Sequence, residues 1–280
     1  MEVKDKKRLI LPLVLLSILV VVGLVVLIVI SGEESPAPTE ISTDPPVETT
    51  TEPTLPPPEA NPYGPLDFQY DGRYLSCLAG ESILGIDVSA HQQQIDWEAV
   101  AAAGIRFVML RVGYRGYETG ALVYDEYVQS NYQGAKAAGL QVGAYFFSQA
   151  ISVEEALEEA EFFRAGMEGW ELDLPVVYDW EYIGPNARTA VMDARKVTDC
   201  TVAFCESMRA EGYEPMIYFN RHQAVEFMHL AELKEYPFWL ALYSDRMTYP
   251  YKLQMWQYTS TGRVPGIEGD VDINLWFDYE

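Results

Sequence analysis

Three stretches of the chain repeat one short pattern: Ala-Ala-Ala-Gly104-Ile-Arg-Phe-Val-Met-Leu, Lys-Ala-Ala-Gly139-Leu-Gln-Val-Gly-Ala-Tyr and Arg-Ala-Glu-Gly212-Tyr-Glu-Pro-Met-Ile-Tyr. Each reads as the end of a helix, a glycine at the left-handed position just past it, and a short apolar strand. Gly104 and Gly139 lie 35 residues apart and Gly212 follows 73 later, which is the period of a repeated strand and helix. Such a chain buries its strands in a mostly parallel sheet covered by helices.

Helix starts agree with the repeat. Asp96 and Asp125 are expected N-caps, and Ser152 with Glu155 forms an expected capping box. Val153, Ala156, Leu157, Ala160, Phe163 and Met167 keep helical spacing, as do Val191, Ala194, Val197, Thr201, Phe204 and Met208. Expected strands are Ile83 to Ser89, Phe107 to Gly113, Gln141 to Phe147, Pro175 to Glu181, Pro215 to Asn220, Phe238 to Tyr243, Leu253 to Tyr258 and Asp270 to Phe277. The first five leave room for a helix after them, whereas the last three are joined by connections too short for a crossover helix. The pattern predicts an α/β fold: an irregular TIM-like barrel of about five βα units followed by three strands lacking full helices. An open doubly wound sheet is the other architecture it allows.

The repeat occupies residues 63–280. Ahead of it, Lys4, Lys6, Lys7 and Arg8 form a basic segment (1–8), followed by 22 residues without a charge, Leu9 to Ile30. As a helix that run would be about 33 Å long, enough to cross a bilayer core of ~30 Å. It is longer than the apolar stretch of a cleavable signal, and Val-Ile-Ser-Gly makes a poor cleavage site. The expectation is a single-pass anchor, its basic end cytoplasmic and the rest extracytoplasmic, with a secreted form if the anchor is cut. Residues 31–62 hold nine prolines, six threonines, seven acids and no Lys or Arg, the composition of a disordered stalk.

The balance of 19 Lys plus Arg against 42 Asp plus Glu gives a net charge of -23, which excludes a nucleic-acid footprint. No phosphate loop, His-Glu-x-x-His, Cys-x-x-Cys or Gly-x-Ser-x-Gly is present, so nucleotide, metal and serine-nucleophile chemistry have no motif, and no cofactor is expected. Cys77, Cys200 and Cys205 read as buried thiols.

The remaining chemistry lies in carboxylates at strand ends. Asp179 and Glu181 close the fourth strand in Pro-Val-Val-Tyr-Asp-Trp-Glu, and side chains two apart on a strand point the same way. Asp87 ends the first strand and Asp272 falls in the last. Each alone reads first as a helix cap or turn residue, which explains most strand-end aspartates, but a buried Glu beside a buried Asp is costly unless it is used. Acids from several strand ends converging on the C-terminal face of a barrel would form a hydrolytic site. Tyr145, Tyr218, Trp239 and Tyr243 lie near strand ends, where flat faces suit sugar rings, although core packing explains such residues equally well. Arg111 pairs with an acid or meets a substrate carboxylate. His91 falls near the expected mouth, while His222 and His229 read as surface or helix residues.

At these positions the chain resembles the family 25 glycoside hydrolases, the muramidases called Chalaropsis-type lysozymes. The pieces, in order, are Gly85-Ile-Asp-Val-Ser-Ala-His-Gln with Ile95-Asp-Trp, Gly143-Ala-Tyr-Phe-Phe, Asp179-Trp-Glu181, Phe238-Trp-Leu-Ala-Leu-Tyr, Met255-Trp-Gln-Tyr-Thr-Ser and Val271-Asp-Ile-Asn. The resemblance runs from about Ile83 to the C-terminus. It implies that residues 63–280 are a catalytic barrel cleaving the β-1,4 bond between N-acetylmuramic acid and N-acetylglucosamine in peptidoglycan. By resemblance Glu181 is the acid that protonates the leaving oxygen, Asp179 its neighbour, and Asp87 and Asp272 the other two acids of the pocket. Many members carry His where this chain has Phe146 or Phe147, and Gly where it has Gln93. Two other functions are left open: a chitinase-like or endo-N-acetylglucosaminidase barrel, which usually carries further aspartates where this chain has Pro175-Val-Val-Tyr, and a wall-binding module with a dead site.

Overall fold

A computed structural model describes residues 55–279, which fall within one compact unit. The expected anchor, the basic segment and most of the stalk lie outside the described residues, and among those described no helix is long and apolar enough to cross a membrane.

The strands in chain order are β1 (Phe68–Tyr70), β2 (Leu75–Cys77), β3 (Ser82–Val88), β4 (Phe107–Arg115), β5 (Leu122–Tyr124), β6 (Gln141–Ser148), β7 (Val176–Trp180), β8 (Pro215–Asn220), β9 (Phe238–Ala241), β10 (Met255–Gly262) and β11 (Val271–Phe277). The helices are α1 (Trp97–Ala102), α2 (Val128–Ala137), α3 (Val153–Gly166), α4 (Ala194–Ala210), α5 (Arg221–Glu226) and α6 (Leu230–Leu233), with 3-10 turns at Ala90–Gln92 and Arg188–Val191. The large sheet runs β3-β11-β10-β9-β8-β7-β6-β4-β5, and pairing of β3 with β4 closes its first eight strands into a barrel. That closure rules out the open doubly wound sheet. Strands β3, β4 and β6 to β10 are mutually parallel; β11 is antiparallel to both neighbours.

Gly104, Gly139 and Gly212 all have positive φ, at 98°, 77° and 87°, one residue past a helix C-cap, as the repeat requires. Between β9 and β10 the chain makes a parallel crossover through residues 242–254 without a helix. The outer face left bare there is covered by a β1–β2 hairpin that carried no sequence signal, with Phe68 edge-on to Trp256 at 5.0 Å and Tyr63 5.1 Å from Phe277. The chain joins this unit before residue 63, since Glu59 and Asn61 already exchange backbone hydrogen bonds with Lys252 and Pro250.

Several local expectations are corrected. Asp125 does not cap α2, whose N-cap is Tyr127; it is buried and accepts from the Ala90 and Tyr127 amides and from Arg111. Ser152 does cap α3, but Glu155 turns its carboxylate to the Ile151 amide and to Arg188, leaving the box half made. Val153, Leu157 and Val191 are exposed, because the face of α3 that meets the barrel is centred on Ala156, Glu159, Ala160 and Phe163, and Val191 precedes α4. Cys200 and Cys205 are buried free thiols, whereas Cys77, on the short hairpin, is only half-buried.

The barrel interior follows period two along each strand. Phe107, Met109, Val177, Met216, Trp239 and Met255 fill its lower part. A Cβ on Gly85 would overlap the Phe107 ring, so glycine there is set by the crowding of that interior. Continuing the same inward rows toward the C-terminal end replaces the apolar side chains with Arg111, Asp179, Tyr218 and Gln257. The register pairs Asp87 with Asp272 across β3 and β11, and Asp179 with Tyr218 across β7 and β8.

Candidate active site

These rows open into a cleft of about 900 Å³ at the C-terminal mouth, lined by Asp87, Asp179, Glu181 and Asp272 together with His91, Arg111, Tyr145, Tyr218, Trp239 and Tyr243. The four acids, drawn from β3, β7, the residue after β7, and β11, thus share one concave surface. Val177 faces into the barrel, so Asp179 and Glu181, in step with it, face the same way.

The acids differ in their surroundings. Asp87 is buried, and its Oδ2 accepts from Gln257 Nε2 and Asn274 Nδ2, both at 2.8 Å. Burial raises its pKa to about 6, and the two amide donors hold it from rising further. Asp179 is 5% exposed, and among the described residues its Oδ1 has no hydrogen-bond partner. Burial first, then the negative charges of Glu181 and Asp87, push its carboxyl well above the ordinary range. Glu181 is lifted to about 7, by burial and then by Asp87. Asp272 rises to about 8, by burial and then chiefly by Asp87.

Gln257 and Asn274 were not singled out in the sequence. Gln257 also lies within reach of the Tyr218 and Tyr243 hydroxyls, which donate to its Oε1 at 3.2 and 3.1 Å, and Asn274 Oδ1 accepts from Trp239 Nε1 at 2.9 Å. Both belong to inward rows, Gln257 two residues after Met255 and Asn274 two after Asp272, so period two was the available signal.

The aromatic residues are less alike than their strand-end positions implied. Trp239 is 1% exposed and forms floor, its ring edge committed to Asn274. Tyr145 and Tyr218 are also buried and meet Trp239 edge to face, so neither offers an open ring. Tyr243, 58% exposed, keeps a free face. Arg111 is committed to Asp125 at 2.9 Å, and its guanidinium lies over the Tyr114 ring. His91 sits on the rim, and His222 is a surface residue beside Tyr182 and Phe227. Of the two phenylalanines at the position where the resemblance expected His, Phe147 lines the cleft and Phe146 packs in the outer core.

Gln93 follows the rim turn with φ 54° and ψ -131°, the only non-glycine positive φ among the described residues. Holding an L side chain there costs about 1–3 kcal/mol. Gln93→Gly is therefore expected to stabilise the fold by about 1 kcal/mol, read as a Tm rise of about 2–4 °C by calorimetry. An unchanged or lower Tm would show that this strain is not stored.

A closed barrel with acids from several strands gathered at its C-terminal mouth is the architecture of a barrel hydrolase. The model of glycosyl hydrolases family 25 matches residues 86–267. The uncharacterized protein YegX of Escherichia coli strain K12 is 30% identical over 208 residues, covering 71% of each chain. Lysozyme M1 of Streptomyces globisporus is 27% identical over 215 residues, covering 73% of this chain and 71% of its own. The modular autolysin LytC of Streptococcus pneumoniae, solved with a synthetic peptidoglycan ligand, superposes with a TM-score of 0.61 at 26% identity; the match covers 70% of this chain and 47% of LytC, so this chain spans about half that protein's length. The chain belongs to glycosyl hydrolases family 25 and is a glycoside hydrolase. The chitinase-like alternative does not survive that assignment.

Proposed function

We propose that the protein is an endo-muramidase that hydrolyses the β-1,4 bond between N-acetylmuramic acid and N-acetylglucosamine in peptidoglycan, held at the outer surface of a membrane by residues 9–30. The single observation that carries the chemistry is that Asp87, Asp179, Glu181 and Asp272 line one cleft in unlike environments. A glycosidase needs one carboxyl protonated and another ionised at the same pH.

Glu181 is the general acid. Its pKa of about 7 keeps a proton available for the leaving oxygen near neutrality. Asp87, at about 6 and stabilised by two amide donors, supplies the negative charge facing the developing oxocarbenium ion. Asp179, nearly enclosed and with no donor at Oδ1 among the described residues, favours its neutral form. Its free oxygen is suited to orient the substrate's N-acetyl amide. Tyr243 provides the exposed ring against which a sugar stacks.

The names of Lysozyme M1 and of the peptidoglycan complex of LytC support this substrate, as does the 22-residue uncharged run for the anchor. Purified wall incubated with the full chain is expected to release new reducing ends that are muramic acid. Release of glucosamine ends instead, or binding with no release, would refute the assignment in favour of a glucosaminidase or an inactive wall-binding module.

A further inference from the structure

Glu181 stands one residue beyond the end of β7, where the sheet no longer fixes the backbone. A carboxyl on such a residue swings with its peptide, and about 1 Å of misplacement costs about 10²-fold in rate. At this point two consecutive carbonyls are taken by glutamine side chains from opposite neighbours. Gln149, in the segment after β6, donates Nε2 to the Glu181 carbonyl at 2.7 Å. Gln223, in α5 after β8, donates Nε2 to the Trp180 carbonyl at 2.7 Å. The two glutamines are 0% and 1% exposed. Burying a primary amide is unfavourable unless its polar atoms are met, and here the nitrogen and the oxygen of each amide have a partner.

Each glutamine is fixed in turn. Gln149 Oε1 accepts from Thr189 Oγ1 at 3.2 Å, and the Gln149 carbonyl accepts from Arg188 Nη1 at 2.9 Å. Arg188 is itself held by a two-pronged pairing with Glu155, at 2.6 and 2.8 Å. Gln223 Oε1 accepts from the Asn220 amide at 2.7 Å, while Asn220 Oδ1 accepts from the Gln223 amide at 3.0 Å, a reciprocal capping box at the start of α5. Trp180, between Asp179 and Glu181, also donates its ring Nε1 to the Ala150 carbonyl at 3.3 Å.

We propose that Gln149 and Gln223 are positioning residues, a pair of amide clamps that lock the peptide on either side of Glu181 and set where its carboxyl meets the scissile oxygen. The inference rests on Glu181 being the acid. It explains why two long neutral side chains are spent beneath a cluster of acids: an amide donates to a carbonyl without adding charge to the site.

The test is Gln149→Met and Gln223→Met in the full chain, assayed on purified wall beside Glu181→Gln. Methionine keeps length and bulk but cannot donate. Each variant is expected to lose about 10–100-fold in kcat with KM held within about twofold, and to displace the alkaline limb of the pH profile. A folded variant with wild-type kcat and pH profile, beside an inactive Glu181→Gln, overturns the clamp and leaves the acid assignment standing. Should Glu181→Gln remain active, the acid assignment falls and takes the clamp with it. If Gln149→Met does not fold, Gln223→Met and Arg188→Lys, which loosens the hold on the Gln149 carbonyl, carry the same expectation and the same refutation.

Discussion

Glu181→Gln is expected to lower kcat by about 10²–10⁴-fold while making the protein more stable at pH 8. The two effects have one origin. Burial and Asp87 raise the Glu181 carboxyl to about 7. A group whose folded pKa is raised above its unfolded value contributes stability below the unfolded value, near 4.5, and loses it as pH climbs through about 7. At pH 8 the fold therefore bears the strain of an ionised Glu181, and the amide, which never ionises, relieves it by about 1–3 kcal/mol. The same values set the pH dependence of the wild type. The alkaline limb of kcat/KM is expected near 7, where Glu181 loses its proton, and the acid limb near 6, where Asp87 gains one. Because the acids interact, the limbs belong to the cluster, so the diagnostic result is loss of the alkaline limb from the residual activity of Glu181→Gln. Residual activity with an unmoved alkaline limb, or a variant no more stable at pH 8 than the wild type, would assign the proton to another group.

How much of this was legible in the sequence depends on whether a residue's neighbours are local. The strand and helix repeat could be read because its signals, a left-handed glycine and an apolar period, are set within a few residues; Pro215–Asn220 begins and ends where expected. The acids could be read because they lie at strand termini, Asp272 at the start of β11 and the others at or just past strand ends, and the termini on one rim of a barrel converge by topology. The β1–β2 hairpin could not, since Phe68–Tyr70 and Leu75–Cys77 are too short to show a period and owe their place to Trp256 and Phe277, far along the chain. Asp125 looks like a cap in the sequence because the residue that claims it, Arg111, lies on β4, beyond the local window. The roles of Asp87 and Asp179 were likewise invisible. What separates them is that Gln257 and Asn274 reach one and nothing among the described residues reaches the Oδ1 of the other.

Arg115→Met is expected to cost about 3–5 kcal/mol at pH 8 and distinctly less at pH 6. Arg115, at the end of β4, is 4% exposed and donates Nε at 2.7 Å to Glu159 of α3, which is fully buried. Ser148 Oγ donates to the other Glu159 oxygen at 2.6 Å. Even with both partners, burial lifts the Glu159 carboxyl to about 7. Without the guanidinium it rises further, so below neutral pH the variant keeps a neutral, hydrogen-bonded acid at modest cost. As pH rises, the fold must either ionise an unpaired buried carboxylate or hold its proton against solvent, and stability falls steeply. Urea unfolding at pH 6 and pH 8 reads the difference, and an equal loss at both would show that the pair's charge does not matter. Replacing both residues with methionine removes the orphaned charge and should recover most of the stability. It should not recover the cleft: Arg115 also donates to the Gly120 carbonyl at 2.9 Å, tying down the turn that carries Tyr117 to the rim. The double variant is therefore expected to fold well yet bind wall with a raised KM, separating the part of this ion pair that holds the barrel together from the part that shapes its mouth.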